Sequence, residues 1–149
     1  MIRIIFLDVD GVLNSINHLI EVYNETHRPH SGFEYPFDEK CLNNLKIIVE
    51  ETDAYLVITS TWRKNIKGRR KLLSKLKEYG LDKRVIGFTP IIGSREEEIK
   101  EYLSGVNVEY QYVIVDDDIV LDDNFVHINT RSGITNDDTN EIIKKLTLQ

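Results

Sequence analysis

Ile2–Leu7 is an apolar run broken only by Arg3, and a run without polar alternation predicts a strand buried on both faces. Residues 15–37 carry histidines, Pro29, Gly32 and Pro36, so an irregular loop is expected there. Asp38 then stands as the N-cap of a helix running to about residue 52, with Leu42, Leu45, Ile48 and Val49 in one apolar stripe. A second strand is predicted over 55–59. A helix follows over 66–79, with Leu72, Leu73 and Leu76 inward and Gly80 just past its end. Val85–Phe88 reads as a third, short strand. Ser94, with Glu97 three residues on, forms the pattern of a capping box and opens a helix that buries Ile99 and Leu103 before Gly105. Strands over 112–115 and 125–128 and a last helix over 136–146 complete the chain.

Strands alternating with helices through short connections predict an α/β fold: a Rossmann-like three-layer sandwich with a central parallel sheet of about five strands. The 149 residues suit a single domain, 1–149, with no repeat or low-complexity tract to divide it. The opening apolar stretch is too short for a signal peptide or a membrane span, and aspartate interrupts it. A lone cysteine, Cys41, allows no internal disulfide and points to a reducing, cytoplasmic setting without a membrane partner.

In a parallel sheet ligands gather at the carboxyl ends of the strands, so the residues that end each strand deserve reading first. The first strand delivers Asp8 and Asp10 in FLDVDGVLN, the second Thr59, Ser60 and Thr61, and the fourth Asp116, Asp117 and Asp118. Carboxylates this close repel one another unless a cation lies between them or their pKa values separate. Acidic clusters from distant parts of the chain at one sheet mouth suit Mg²⁺, which takes one or two carboxylates, waters and a substrate phosphate.

The ordered set DxDG, hydroxyl cluster, basic helix start and acidic pair resembles the haloacid dehalogenase (HAD) superfamily of aspartate-dependent phosphohydrolases, from Ile2 to about Thr135. The resemblance implies an HAD-like fold, and the short stretches between the motifs leave no room for the separate cap domain that members often carry. The resemblance makes Asp8 the nucleophile that forms an aspartyl phosphate and binds the metal. Asp10 becomes the general acid and base, its backbone carbonyl a metal ligand, and Gly11 allows the tight turn. A Thr or Ser of VITST would hold phosphate oxygens: Ser60 is preferred, with Thr59 next and Thr61 in the same run. The cation steadying the phosphoryl group would be Arg95 at its capped helix start, where the family more often has lysine, with Arg63 and Lys64 as alternatives. Asp116 would bind Mg²⁺ and Asp117 a metal water or a neighbouring cation. The second aspartate of DxD argues for phosphate chemistry over carbon–halogen cleavage, because the dehalogenases generally lack it.

Charge narrows the substrate. The chain has a net charge of -6, yet eight of its nineteen basic residues fall between Arg63 and Lys77 with no acid among them. An uncapped site suits a bulky phosphorylated substrate, and this basic run favours a nucleic-acid end. Trp62, Arg63 and Lys64 would then form a substrate rim, with Trp62 stacking a base or, alternatively, anchoring the core. STWR resembles the corresponding region of HAD domains associated with RNA repair. A small-metabolite or nucleotide phosphatase, with 15–37 as a flap loop, is the second enzymatic reading; a phosphate-binding scaffold without turnover is the rival from another class. His27 and His30 have ligand-like spacing but no cysteine partner, and His18 and His127 read as structural.

Overall fold

The computed structural model describes residues 1–148. Five strands, β1 (Ile2–Leu7), β2 (Tyr55–Ile58), β3 (Val85–Phe88), β4 (Tyr110–Asp116) and β5 (Phe125–His127), form one sheet in the order β3-β2-β1-β4-β5. Every pairing is parallel. Five helices accompany them: α1 (Ile16–Thr26), α2 (Glu39–Thr52), α3 (Ile66–Glu78), α4 (Arg95–Ser104) and α5 (Asn136–Thr147). This is the α/β, Rossmann-like arrangement that the alternating pattern predicts, and no separate cap is evident.

The sheet is covered unevenly. Ile5, Leu7, Leu56, Ile58, Val113 and Val115 face a large core closed by α2, α3 and α5. The opposite face, carrying Ile4, Phe6, Val57 and Ile114, packs on Ile99 of α4 and on Val120. Burial on both faces explains why β1 shows no polar alternation. Caps set the helix starts as the sequence indicates: Asp38 accepts from Lys40 N–H, and Ser94 from Glu97 N–H. At the end of α3, Gly80 adopts φ +73°, the left-handed conformation expected past a helix end.

The expected loop over 15–37 needs correction, because its first half is helical. Ser15 caps α1 by accepting from His18 N–H at 3.1 Å, and His27 closes it in the left-handed region at φ 56°. Two further bonds, from Ile16 N–H to the Thr130 carbonyl and from Asn17 N–H to that of Arg131, moor its start. No α1 residue is buried. Its apolar positions Leu19, Ile20 and Tyr23 stand at helical spacing but line a surface pocket with Pro29 and His30 instead of entering the core, so caps and moorings hold the helix. Among the described residues, no helix is long and apolar enough to cross a membrane.

Candidate active site

Leu7 of β1 pairs with Val115 of β4, so the next residues along the two strands, Asp8 and Asp116, emerge side by side. They stand where the winding of the sheet reverses, the crevice in which ligands of open α/β sheets bind. Asp8 is 6% exposed and Asp116 fully buried. Burial, reinforced by Asp116, pushes the Asp8 carboxyl well above the ordinary carboxylate range, while Arg95 pulls the other way. Burial also raises Asp116, again opposed by Arg95.

Arg95 meets both acids. Its Nη1 lies 2.9 Å from Asp116 Oδ2 and 3.5 Å from Asp8 Oδ1, and it donates to Thr59 Oγ1 at 2.9 Å. The cation that two adjacent carboxylates require is thus present within the protein. Asp117 completes the cluster: one oxygen from each of Asp8, Asp116 and Asp117 falls within 4.8 Å of the others. The approach of Arg95 to Asp116 Oδ2 lies off the hydrogen-bonding direction, so this buried oxygen accepts no hydrogen bond. An orphaned carboxylate oxygen beside two more anionic groups fits a hard divalent cation, whose positive charge would satisfy it. Neither His27 nor His30 joins a metal-binding cluster among the described residues.

Gly11 explains the closeness of the loops. It turns at φ +79°, and a Cβ there would run into the Asp117 carboxylate and meet Thr130 Oγ1 at 2.8 Å. Only glycine admits both the conformation and the contact. Beside it, Asp10 is held by its neighbours: its Oδ1 accepts from Trp62 Nε1–H at 3.0 Å and from Asn14 Nδ2–H at 2.9 Å.

The hydroxyl cluster separates by role. Thr59 Oγ1 shares Arg95 with the acids, whereas Ser60 Oγ accepts from Trp62 N–H and caps the 3-10 turn Thr61–Lys64. Geometry therefore brings Thr59, rather than the preferred Ser60, into the acidic cluster. Thr61 and Lys64 are exposed on that turn.

Two rim residues expected from the sequence are internal. Trp62 is 1% exposed, its ring packed edgewise against Phe33 and Phe37, so it has no open face for a base. Arg63 is 2% exposed, and all five of its N–H donors can be accounted for. They go to the carbonyls of Thr89, Thr59, Ser60 and Pro90 and to Glu98 Oε1, the last at 2.9 Å. A burial-driven fold overrode the charge pattern at both positions, because Arg63 binds the loop after β2 to that after β3. His127 is structural: its Nε2 donates to the Asp117 carbonyl at 2.8 Å.

A family model for the HAD domain in Swiss Army Knife RNA repair proteins matches residues 4–139. The chain belongs to this family. No curated protein and no solved structure matches it. In this HAD domain sequence reasoning passed over Asn14, which is fully buried beside the acidic turn. Its position four residues after Asp10, within the same FLDVDGVLN stretch, is the signal that marks it.

Proposed function

We propose that this HAD domain is a Mg²⁺-dependent phosphomonoester hydrolase acting through a phosphorylated Asp8, with a nucleic-acid end as substrate. The observation that carries the reading is the convergence of Asp8, Asp116 and Asp117 around one point, with Arg95 reaching two of them and Thr59. Mg²⁺ would be held by Asp8, Asp116, Asp117 and the Asp10 backbone carbonyl, and it would supply charge neutralisation for an entering phosphate dianion.

The steps follow from the residues. Asp8 must be ionised to attack; burial opposes this, and Arg95 favours it. Its carboxylate oxygen bonds to phosphorus in line, and the bond from phosphorus to the substrate oxygen breaks. Asp10 gives its proton to that leaving oxygen, then takes one from the water that attacks the aspartyl phosphate. Inorganic phosphate leaves and the Asp8 carboxylate is restored. Arg95, Thr59 Oγ1 and the Ser60 backbone N–H hold the phosphoryl oxygens through the transfer.

Support for a nucleic-acid end comes from the family's description as RNA repair proteins and from exposed cations on the turn and helix that follow Ser60. Several basic residues are already engaged: Lys71 with Glu34, Lys75 with Glu78, and Arg69 with the Arg63 carbonyl and the Phe88 ring. Lys64, Lys67 and Arg70 are exposed and have no acidic partner among the described residues, and these form the proposed contact. The chain acts as one domain, 1–149, in the cytoplasm, where its lone thiol stays reduced. The 15–37 segment serves as a flap, a role supported by Tyr35, whose hydroxyl feels the charges of Asp10 and Asp117 after the larger effect of burial.

Hydrolysis of p-nitrophenyl phosphate with Mg²⁺, compared between wild type and Asp8→Asn, tests the chemistry; activity that survives the substitution refutes it. End-phosphorylated oligonucleotides against mononucleotides and sugar phosphates test the substrate. Neutralising Lys67 and Arg70 should weaken oligonucleotide turnover in a salt-dependent way and leave p-nitrophenyl phosphate turnover unchanged. A preference for mononucleotides would remove the nucleic-acid reading.

A further inference from the structure

The two hydrogen bonds to Asp10 fall on the same oxygen. Trp62 Nε1–H donates to Oδ1 at 3.0 Å and Asn14 Nδ2–H at 2.9 Å, while Oδ2 has no hydrogen-bond donor among the described residues. The donors are themselves fixed. Asn14 Oδ1 accepts from Gly11 N–H at 2.7 Å, which orients the amide with its NH₂ toward Asp10. Trp62 is clamped between Phe33 and Phe37 at centroid distances of 5.2 and 5.3 Å. Its backbone N–H bonds Ser60 Oγ, so the chain segment that carries Thr59 also carries the indole.

We infer that Trp62 and Asn14 are positioning residues that make Asp10 a one-sided carboxyl, with Oδ1 tied to the protein and Oδ2 the oxygen that carries the transferable proton. A carboxyl oxygen has two in-plane lone pairs, and two N–H donors on Oδ1 use both. A proton on Asp10 therefore resides on Oδ2. The rotation of the carboxyl is fixed at the same time, so Oδ2 meets each leaving group in one orientation. This inference rests on the reading of Asp10 as proton donor in phosphate ester hydrolysis. It assigns the buried indole a task that stacking on a base would not need.

Trp62→Phe keeps a ring between Phe33 and Phe37 and removes the N–H. The leaving group then separates positioning from packing. Nitrophenolate departs without a proton, whereas the alkoxide from glycerol 2-phosphate needs one. In a single turnover with Mg²⁺, before the aspartyl phosphate is hydrolysed, Trp62→Phe should slow the release of glycerol from glycerol 2-phosphate about tenfold or more and the release of nitrophenolate less than about threefold. In an Asp10→Asn background the same substitution should change glycerol 2-phosphate turnover less than about twofold, because the group it positions is gone. Equal losses on both substrates, or full additivity with Asp10→Asn, overturn the inference.

Trp62 is the chain's single tryptophan, so its one indole N–H resonance reads the contact without any turnover. That resonance should shift in Asp10→Asn and lose its protection from solvent exchange in Asp10→Ala. An indole signal unmoved by both substitutions overturns the inference whatever the activity. Absence of Mg²⁺-dependent hydrolysis sensitive to Asp8→Asn, with the indole signal moving as expected, would instead refute the phosphatase reading on which the proton transfer rests.

Discussion

Arg63 offers the sharpest test of reading burial ahead of charge. Replacing it with alanine removes a guanidinium whose donors satisfy four carbonyls and Glu98. Glu98 is itself only 5% exposed, and it would keep one donor, the Ile92 N–H at 3.1 Å. Breaking a buried ion pair by deleting one partner costs about 3–5 kcal/mol, because the survivor stays charged and dry. A domain is stable by about 5–15 kcal/mol in all, so roughly a fifth or more of the margin is at stake. For a chain of this length the loss corresponds to roughly 6–20 °C in Tm.

Arg63→Lys should lose less, about 1–3 kcal/mol, since an ammonium keeps the charge but offers three donors where five are used. Thermal unfolding by circular dichroism, with KM for a phosphorylated oligonucleotide measured beside it, separates the two roles. An Arg63→Lys protein with an unchanged Tm and a raised KM would put Arg63 on the substrate rim and refute the argument.

Three other outcomes follow from the same structure. Without metal, the folded protein retains protons on Asp8 and Asp116 that the unfolded chain has released, so its stability falls as pH rises above the ordinary carboxylate range. Mg²⁺ should accordingly raise Tm more at about pH 8 than at about pH 5.5, and equal shifts by differential scanning fluorimetry would contradict this. Gly11→Ala, strained at φ +79° and colliding with Asp117, should destabilise by about 1–3 kcal/mol and abolish the Mg²⁺ response; a normal Tm shift with Mg²⁺ would contradict it. Cys41 is buried and its thiol is pushed up to about 12, so Ellman's reagent should find no reactive thiol in the native protein and one after denaturation.

The sequence alone determined the strands, the parallel sheet and the acids at its mouth. Those features are written in local terms: apolar runs of strand length, capping residues at Asp38 and Ser94, and aspartates directly after buried strands. Strand order and register then follow from few alternatives, and with Leu7 opposite Val115, Asp8 and Asp116 meet. Three matters were decided only by tertiary structure. The helix Ile16–Thr26 carries apolar residues at helical spacing, Ile16, Leu19, Ile20 and Tyr23, but buries none of them, and only the fold decides that this stripe stays at the surface. Thr59 and Ser60 are adjacent hydroxyls whose roles part only when one meets Arg95 and the other caps a turn. Trp62 and Arg63 carry the composition of a binding rim, yet their partners lie 52 and 35 residues away in sequence, at Asp10 and Glu98. Local patterns record what each segment can form, while the destination of a hydrogen-bond donor depends on which distant segment the fold sets beside it.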